Sequence, residues 1–244
     1  MNSPLPDLKM KNPAQLPVRI VIFGDSISAY RDNLNVASLQ LSERLKSEGI
    51  PFTFINSGVR GNTTEMGRAR FQQDVLNHSP DVVILAFGTN DSAVDVYLGK
   101  SEPRVTLERY SENLAFFLSE LAKRNIQAIL YSSPPVLPTE QPSKCTIRLD
   151  EYLACQRQLA TDYSCFYVDV HKAFWDKAGG DGVKLLRDLY LPDGMHPSES
   201  GQTVIAEAIW QLWQTTGDLK QPRTGPRSGV ALQVNSPIKN NNTK

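Results

Sequence analysis

The sequence predicts an α/β fold, a mostly parallel sheet with helices on both faces. Two patterns carry the prediction: short runs rich in β-branched and aromatic residues recur along the chain, and apolar residues between them repeat at helical spacing. Parallel strands need crossover connections, so regular alternation of the two patterns implies helices packed on each side of one sheet. The strand-like runs lie at residues 18–23, 52–56, 82–87, 126–131 and 166–170. After the first, Ala37, Leu41 and Leu45 recur every four residues, and after the third, Leu107, Tyr110, Leu114, Phe117 and Leu121 mark one face of a long helix. A further helix is expected over residues 146–164, and the last is marked by Val204, Ala208 and Leu212 beside Ile205, Ile209 and Trp213.

At roughly 150 residues per domain, a chain of 244 holds one to two domains, and one core suffices. Lys and Arg number 26, as do Asp and Glu, so no long-range field favours nucleic acid or an anionic membrane, and neither partner is expected. A hydrophobic share of 40% is enough to build a core. The longest apolar run, 82–87, falls far short of the roughly 20 residues of a spanning helix, so no stable membrane insertion is expected. Residues 1–16 hold three prolines and no continuous apolar stretch, which does not read as a secretory signal; the expected location is cytoplasmic. That segment is expected to be flexible, as is 217–244, where five Lys or Arg and the run Asn240-Asn241-Asn242 accompany little apolar periodicity. A single domain is assigned to 17–216. Cys145, Cys155 and Cys165 form an odd set without a Cys-x-x-Cys pair, so they read as small packing residues rather than disulfides or zinc ligands. No pattern sets an oligomeric state.

Four segments carry candidate chemistry. Gly24-Asp25-Ser26-Ile27 directly follows the first strand, where the chain must turn out of the sheet and Ser26 would stand at its carboxyl edge. Val59-Arg60-Gly61-Asn62-Thr63-Thr64 follows the second, where glycine lets backbone N–H groups point outward beside a helix start. Gly88-Thr89-Asn90-Asp91 follows the third. Each of these alone is equally a turn or a capped helix start. In Asp193-Gly194-Met195-His196-Pro197, before the last helix, an acid three residues ahead of a histidine lets a tight turn set carboxylate against imidazole. His78 and His171 have no acid at such spacing and read as surface or packing residues.

Joint placement strengthens the case. In a doubly wound sheet the loops after strands one, two and three emerge together at the carboxyl edge, where such folds bind ligands. Ser26, Gly61 and Asn90 lie on those loops, and with Asp193 and His196 they supply a hydroxyl nucleophile, its base, the acid that orients the base, and oxyanion donors: the parts acyl transfer requires.

The four segments resemble, in order, the blocks of the SGNH, or GDSL, hydrolase superfamily of esterases and lipases, from Val18 to about Trp213, with Ile27 where the first block usually has leucine. The resemblance implies a flavodoxin-like three-layer α/β/α sandwich with a five-stranded parallel sheet in the order 2-1-3-4-5. It also implies a small-molecule ester as substrate and no metal or organic cofactor. In the mechanism expected of these residues, Ser26 attacks the ester carbonyl while His196 takes its proton and Asp193 steadies the imidazole. The oxyanion is held by the N–H groups of Ser26 and Gly61 and by the Asn90 amide. Short- to medium-chain esters or lysophospholipids are the expected substrates, with carbohydrate O-deacetylation and acyl transfer as alternatives on the same machinery. Two readings of another class compete: a metal-dependent phosphoesterase, which needs more ligands than three histidines offer, and a non-enzymatic flavodoxin-like binding module. The acyl pocket is expected to be short, walled by Val94, Val96, Tyr97, Leu98 and by Pro134, Pro135, Val136, Leu137.

Overall fold

In strand β1 (Val18–Gly24), Ile20 and Ile22 enter one hydrophobic core and Val21 and Phe23 another, all of them buried. A strand apolar at consecutive positions is one covered on both faces, as in a parallel sheet between helix layers. The computed structural model describes residues 17–31, 33–137 and 146–216. The segments 1–16 and 217–244 expected to be flexible, and Cys145, lie outside the described residues.

Strands β2 (Phe52–Gly58), β1, β3 (Val82–Ala86), β5 (Gln127–Tyr131) and β7 (Phe166–Val168) lie side by side in that order, every neighbouring pair parallel. Counted within the sheet this is the expected 2-1-3-4-5. Two short strands, β4 (Ala93–Val94) and β6 (Thr146–Ile147), form a separate antiparallel ribbon. Helices α1 (Ala37–Ser47), α5 (Val170–Ala178), α6 (Gly182–Leu189) and α7 (Glu199–Thr215) cover the face with Ile20, Ile22, Ile84 and Ile129. Helices α2 (Thr64–Asp74), α3 (Leu107–Lys123) and α4 (Leu149–Asp162) cover the other, where Phe23 meets Phe71, Phe87 and Phe117 at ring-centroid distances of 5.7, 5.1 and 5.7 Å. Among the described residues no helix is long and apolar enough to cross a membrane.

Several boundaries differ from the sequence expectation by one to three residues, two of them through a local polar contact. The strand expected over 166–170 stops at Val168, because Asp169 accepts from the Lys172 N–H at 2.9 Å and caps α5. The helix expected over 146–164 starts at Leu149, because Thr146 and Ile147 pair with Val94 and Ala93 instead. Cys155 and Cys165 are free and half-buried beside the α3–α4 core; burial pushes the Cys165 thiol up to about 11 and Cys155 upward as well, which suits packing rather than reactivity. His78 is exposed. The His171 Nε2 accepts from Trp175 Nε1 at 3.3 Å, and burial lowers its pKa.

One buried amide joins the two ends of the domain. Val36, the residue before α1, makes no side-chain cap; the Ala37 N–H donates instead to Gln202 Oε1 of α7 at 2.9 Å, while Gln202 Nε2 donates to the Ile27 carbonyl at 2.9 Å. Just before it, a Cβ on Gly201 would lie 2.2 Å from the Leu189 carbonyl oxygen, so only glycine lets α7 start this close to the end of α6. Replacing Gln202 by Leu strands two buried backbone groups at about 1–3 kcal/mol each. Gln202→Leu is therefore expected to lower the melting temperature by roughly 5–15 °C; thermal denaturation of the two proteins checks it, and an unchanged midpoint would mean that water replaces the amide.

Candidate active site

The carboxyl ends of β1 and β3 approach so closely that a Cβ on Gly24 would lie 2.4 Å from the Ala86 carbonyl oxygen. The next residue, Asp25, is buried; its Oδ1 accepts from the Ile27 N–H at 2.9 Å, and its carbonyl accepts from the Ala29 N–H at 3.1 Å. This tight turn lifts Ser26, half-exposed, out of the sheet edge.

After β2 the chain bends through Gly61 at φ +75°, a left-handed conformation that favours glycine. Arg70 of α2 stitches this bend from behind: its Nε donates to Asn62 Oδ1 at 2.8 Å, and its Nη atoms donate to the Ser57 and Gly24 carbonyls at 2.8 and 2.9 Å. Its guanidinium carbon stacks 4.3 Å over the centre of the Phe23 ring. Following β3, the segment 88–91 turns into β4 rather than into a helix. The Asn90 Nδ2 donates to Asp25 Oδ2 at 3.3 Å, and Arg104 Nη1 donates to Asn90 Oδ1 at 3.1 Å, so both ends of the amide are fixed and its orientation is set. Asp91 Oδ1 accepts the Thr64 N–H at 2.8 Å and so joins this loop to the start of α2.

Ahead of α7, Gly194 at φ +66° closes a tight turn in which Asp193 Oδ1 accepts the N–H groups of Met195 and His196 at 3.0 and 2.9 Å. Asp193 Oδ2 lies 2.7 Å from His196 Nδ1, and His196 Nε2 lies 3.0 Å from Ser26 Oγ. With the imidazole proton on Nδ1, the ring donates to Asp193 and accepts from the serine hydroxyl. Burial works to raise the Asp193 carboxyl, but the His196 and Met195 hydrogen bonds outweigh it and hold the group below the usual carboxylate range.

All five residues singled out from sequence, Ser26, Gly61, Asn90, Asp193 and His196, line one cleft of about 350 Å³. Among the described residues the backbone N–H groups of Ser26 and Gly61 donate to no protein acceptor. The arrangement thus presents a hydroxyl against an imidazole, with two backbone N–H groups and the second hydrogen of Asn90 Nδ2 left to donate to an oxygen that acquires charge. Among the described residues no three His, Cys, Asp or Glu side chains group to hold a metal ion.

The walls differ from the sequence expectation. None of the eight apolar residues assigned to them lines the cleft: Val94, Pro134 and Pro135 are buried in packing, Val136 and Leu137 are half-buried, and Val96, Tyr97 and Leu98 sit exposed on a turn after β4. The apolar wall is instead Ala93 and Ile147, register partners of the β4–β6 ribbon, with Met195; Thr89 and three arginines, Arg31, Arg60 and Arg104, complete the lining. Ile147, Arg70, Arg104 and the bridging role of Asp91 were not singled out in the sequence. Only Asp91 left a signal, as part of the third block.

The family model of the GDSL-like lipases and acylhydrolases matches residues 22–204. An uncharacterised lipoprotein of Bacillus subtilis, YqeF, is 37% identical over 219 residues, covering 78% of this chain and 87% of its own length. An acetylxylan esterase of Geobacillus stearothermophilus is 28% identical over 158 residues, 64% of this chain and 69% of its own. The crystal structure of a lipase/acylhydrolase from Enterococcus faecalis superposes with a TM-score of 0.69 at 25% identity, covering 85% of this chain and 100% of that one. A doubly wound sheet with a serine, a histidine and free N–H donors at its carboxyl edge defines a hydrolase of the esterase class. The chain belongs to the GDSL-like lipase/acylhydrolase family.

Beneath the cleft two carboxyl groups are withdrawn from water. Burial pushes Asp25 up to about 7, with the Asp91 charge adding to the effect against the hydrogen bonds from Ile27 and Asn90. Burial likewise pushes Asp91 up to about 6, opposed by the bonds from Thr64. An acid whose native pKa exceeds its unfolded value of 3.8 contributes stability below that value which is lost as pH rises through the native pKa. For Asp25 the loss spans pH 4 to 7 and amounts to at most about 4 kcal/mol. In denaturation series from about pH 4 to pH 8, the parent is expected to lose stability with rising pH relative to Asp25→Asn, which cannot ionise there. A constant difference between the two would show that Asp25 is ionised throughout.

Proposed function

We propose that this chain hydrolyses carboxylic esters of short to medium acyl length through an acyl-enzyme on Ser26. One observation carries the reading: the relay from Ser26 Oγ to His196 Nε2 at 3.0 Å and from His196 Nδ1 to Asp193 Oδ2 at 2.7 Å. Ser26 Oγ attacks the ester carbonyl carbon as its proton passes to His196 Nε2, and Asp193 stabilises the imidazolium. The oxyanion accepts from the Ser26 and Gly61 N–H groups and from Asn90 Nδ2, which Asp25 and Arg104 hold in the donating orientation. The alcohol departs with the proton from His196. Water, deprotonated by the same ring, then attacks the acyl-enzyme and releases the acid. The cleft limits acyl length: about 350 Å³, with an apolar wall of only Ala93, Ile147 and Met195, suits a short chain better than the long tail of a lysophospholipid.

A second reading, removal of an O-acetyl group from a carbohydrate, is supported by what lies beyond the cleft. Gly61 and Arg104 also edge a depression of about 700 Å³ lined by Met66 and Val105 and by Thr63, Glu65, Asp95, Thr106 and Arg109, whose polar groups suit a hydroxyl-rich alcohol. The acetylxylan esterase among the relatives is consistent with it.

A fluorophosphonate is expected to label Ser26, and Ser26→Ala to abolish labelling and lower kcat by about 10⁶. Asn90→Ala is expected to fold and to lose roughly 10²–10³ in kcat. Parental turnover in either variant would remove that residue from the mechanism. Along a p-nitrophenyl ester series, kcat/KM is expected to rise by up to about fourfold per added CH₂ and to fall well before palmitoyl. A steady rise to palmitoyl, measured below the micelle concentration, would replace the short cleft with a lipase tunnel.

A further inference from the structure

The chain has no net charge, yet three arginines line the cleft against a single acid, Asp193. The Asp193 oxygens are taken by Met195 and His196, and Arg104 is held by Asp95, with Nη2 to Oδ1 at 2.6 Å, and by Asn90. Arg31 and Arg60 differ. Among the described residues neither guanidinium makes a direct ion pair, although Arg31 feels the more distant charges of Asp193 and Asp25. Arg60 directly precedes Gly61 and is exposed; Arg31 lies just past the turn that presents Ser26 and is half-buried. Burial lowers the Arg31 pKa, and the Arg60 charge lowers it further, so the two cations that line the cleft repel each other. Two guanidinium forks that pair with no carboxylate among the described residues, both lining the cleft that holds Ser26, are complementary to an anion.

We propose that Arg31 and Arg60 form an anion subsite beside Ser26, so that the preferred ester carries a negatively charged group: carboxylate, phosphate or sulfate. The inference rests on Ser26 being the nucleophile. An anion seated there removes the repulsion between the arginines and gives each guanidinium the acceptor it lacks. The same charge draws the substrate to the cleft before the reaction, which makes the effect strongest at low salt.

Two pairs of esters test the proposal and locate the charge. On the acyl side, the mono-p-nitrophenyl ester of adipic acid is compared with its methyl diester; on the alcohol side, 4-acetoxybenzoate is compared with methyl 4-acetoxybenzoate. Intrinsic reactivity cancels when each anionic-to-neutral ratio of kcat/KM is divided by the same ratio in the double variant Arg31→Gln/Arg60→Gln. In at least one pair the parent's ratio is expected to exceed the variant's by about tenfold or more, and about 0.5 M NaCl is expected to shrink the excess. Equal ratios in both pairs, or a salt-independent excess, would overturn the subsite. Should the double variant not fold, Arg60→Gln at the exposed position and competitive inhibition of p-nitrophenyl acetate turnover by free adipate in the parent take its place. No inhibition together with an unchanged ratio overturns the proposal. Failure of the underlying reading looks different: Ser26→Ala would then keep hydrolysing the neutral esters.

Discussion

Asp25 and Asp91 stand at the carboxyl edge of the sheet almost out of contact with water, and each spans two loops. Asp25 ties its own turn to Asn90, and Asp91 ties the Asn90 loop to the start of α2, just past Gly61. Withdrawing two acids from water is unfavourable, which is why both titrate well above the ordinary range. What the strain secures is the relative placement of three loops that no strand pairing holds. Apolar side chains would fill the same space without fixing the Asn90 amide or the Thr64 N–H in one orientation, because dispersion has no direction.

The same need for direction explains the other polar groups placed under the cleft. Arg70 reaches back from α2 to satisfy carbonyls at the ends of both β1 and β2, and its flat guanidinium covers the Phe23 ring. Gln202 does the equivalent on the opposite face, bonding the loop beneath Ser26 to the helix that follows His196. Each is a long side chain ending in several donors or acceptors fixed in a plane, which lets one residue set the distance between two backbone segments.

The fold was legible because parallel strands buried on both faces leave unbroken apolar runs, as at Val82, Val83, Ile84 and Leu85, that no amphipathic helix produces. Legibility failed where a polar contact overrode propensity, at Asp169 and at Thr146. Helix α2 left little pattern because its buried face is sparse, carried by Thr64, Gly67 and Phe71 among charged neighbours. At the cleft, Ser26, Gly61, Asn90, Asp193 and His196 stood out because small and polar residues at strand ends have few structural uses in company. Its walls did not stand out. Ala93 and Ile147 meet only through a two-residue ribbon, and Arg70 and Arg104 act across loops, so nothing local marks them.

Ser26 and His196 are 170 residues apart, and the turn that carries the histidine is anchored to the serine's loop through α7. During synthesis the serine therefore exists long before the histidine it bonds. A nascent chain that has not yet reached His196 holds Ser26 without the imidazole that its hydroxyl meets in the finished fold. The relay from Ser26 through His196 to Asp193 closes only with the final stretch of the domain, so the order of the polypeptide itself delays its assembly.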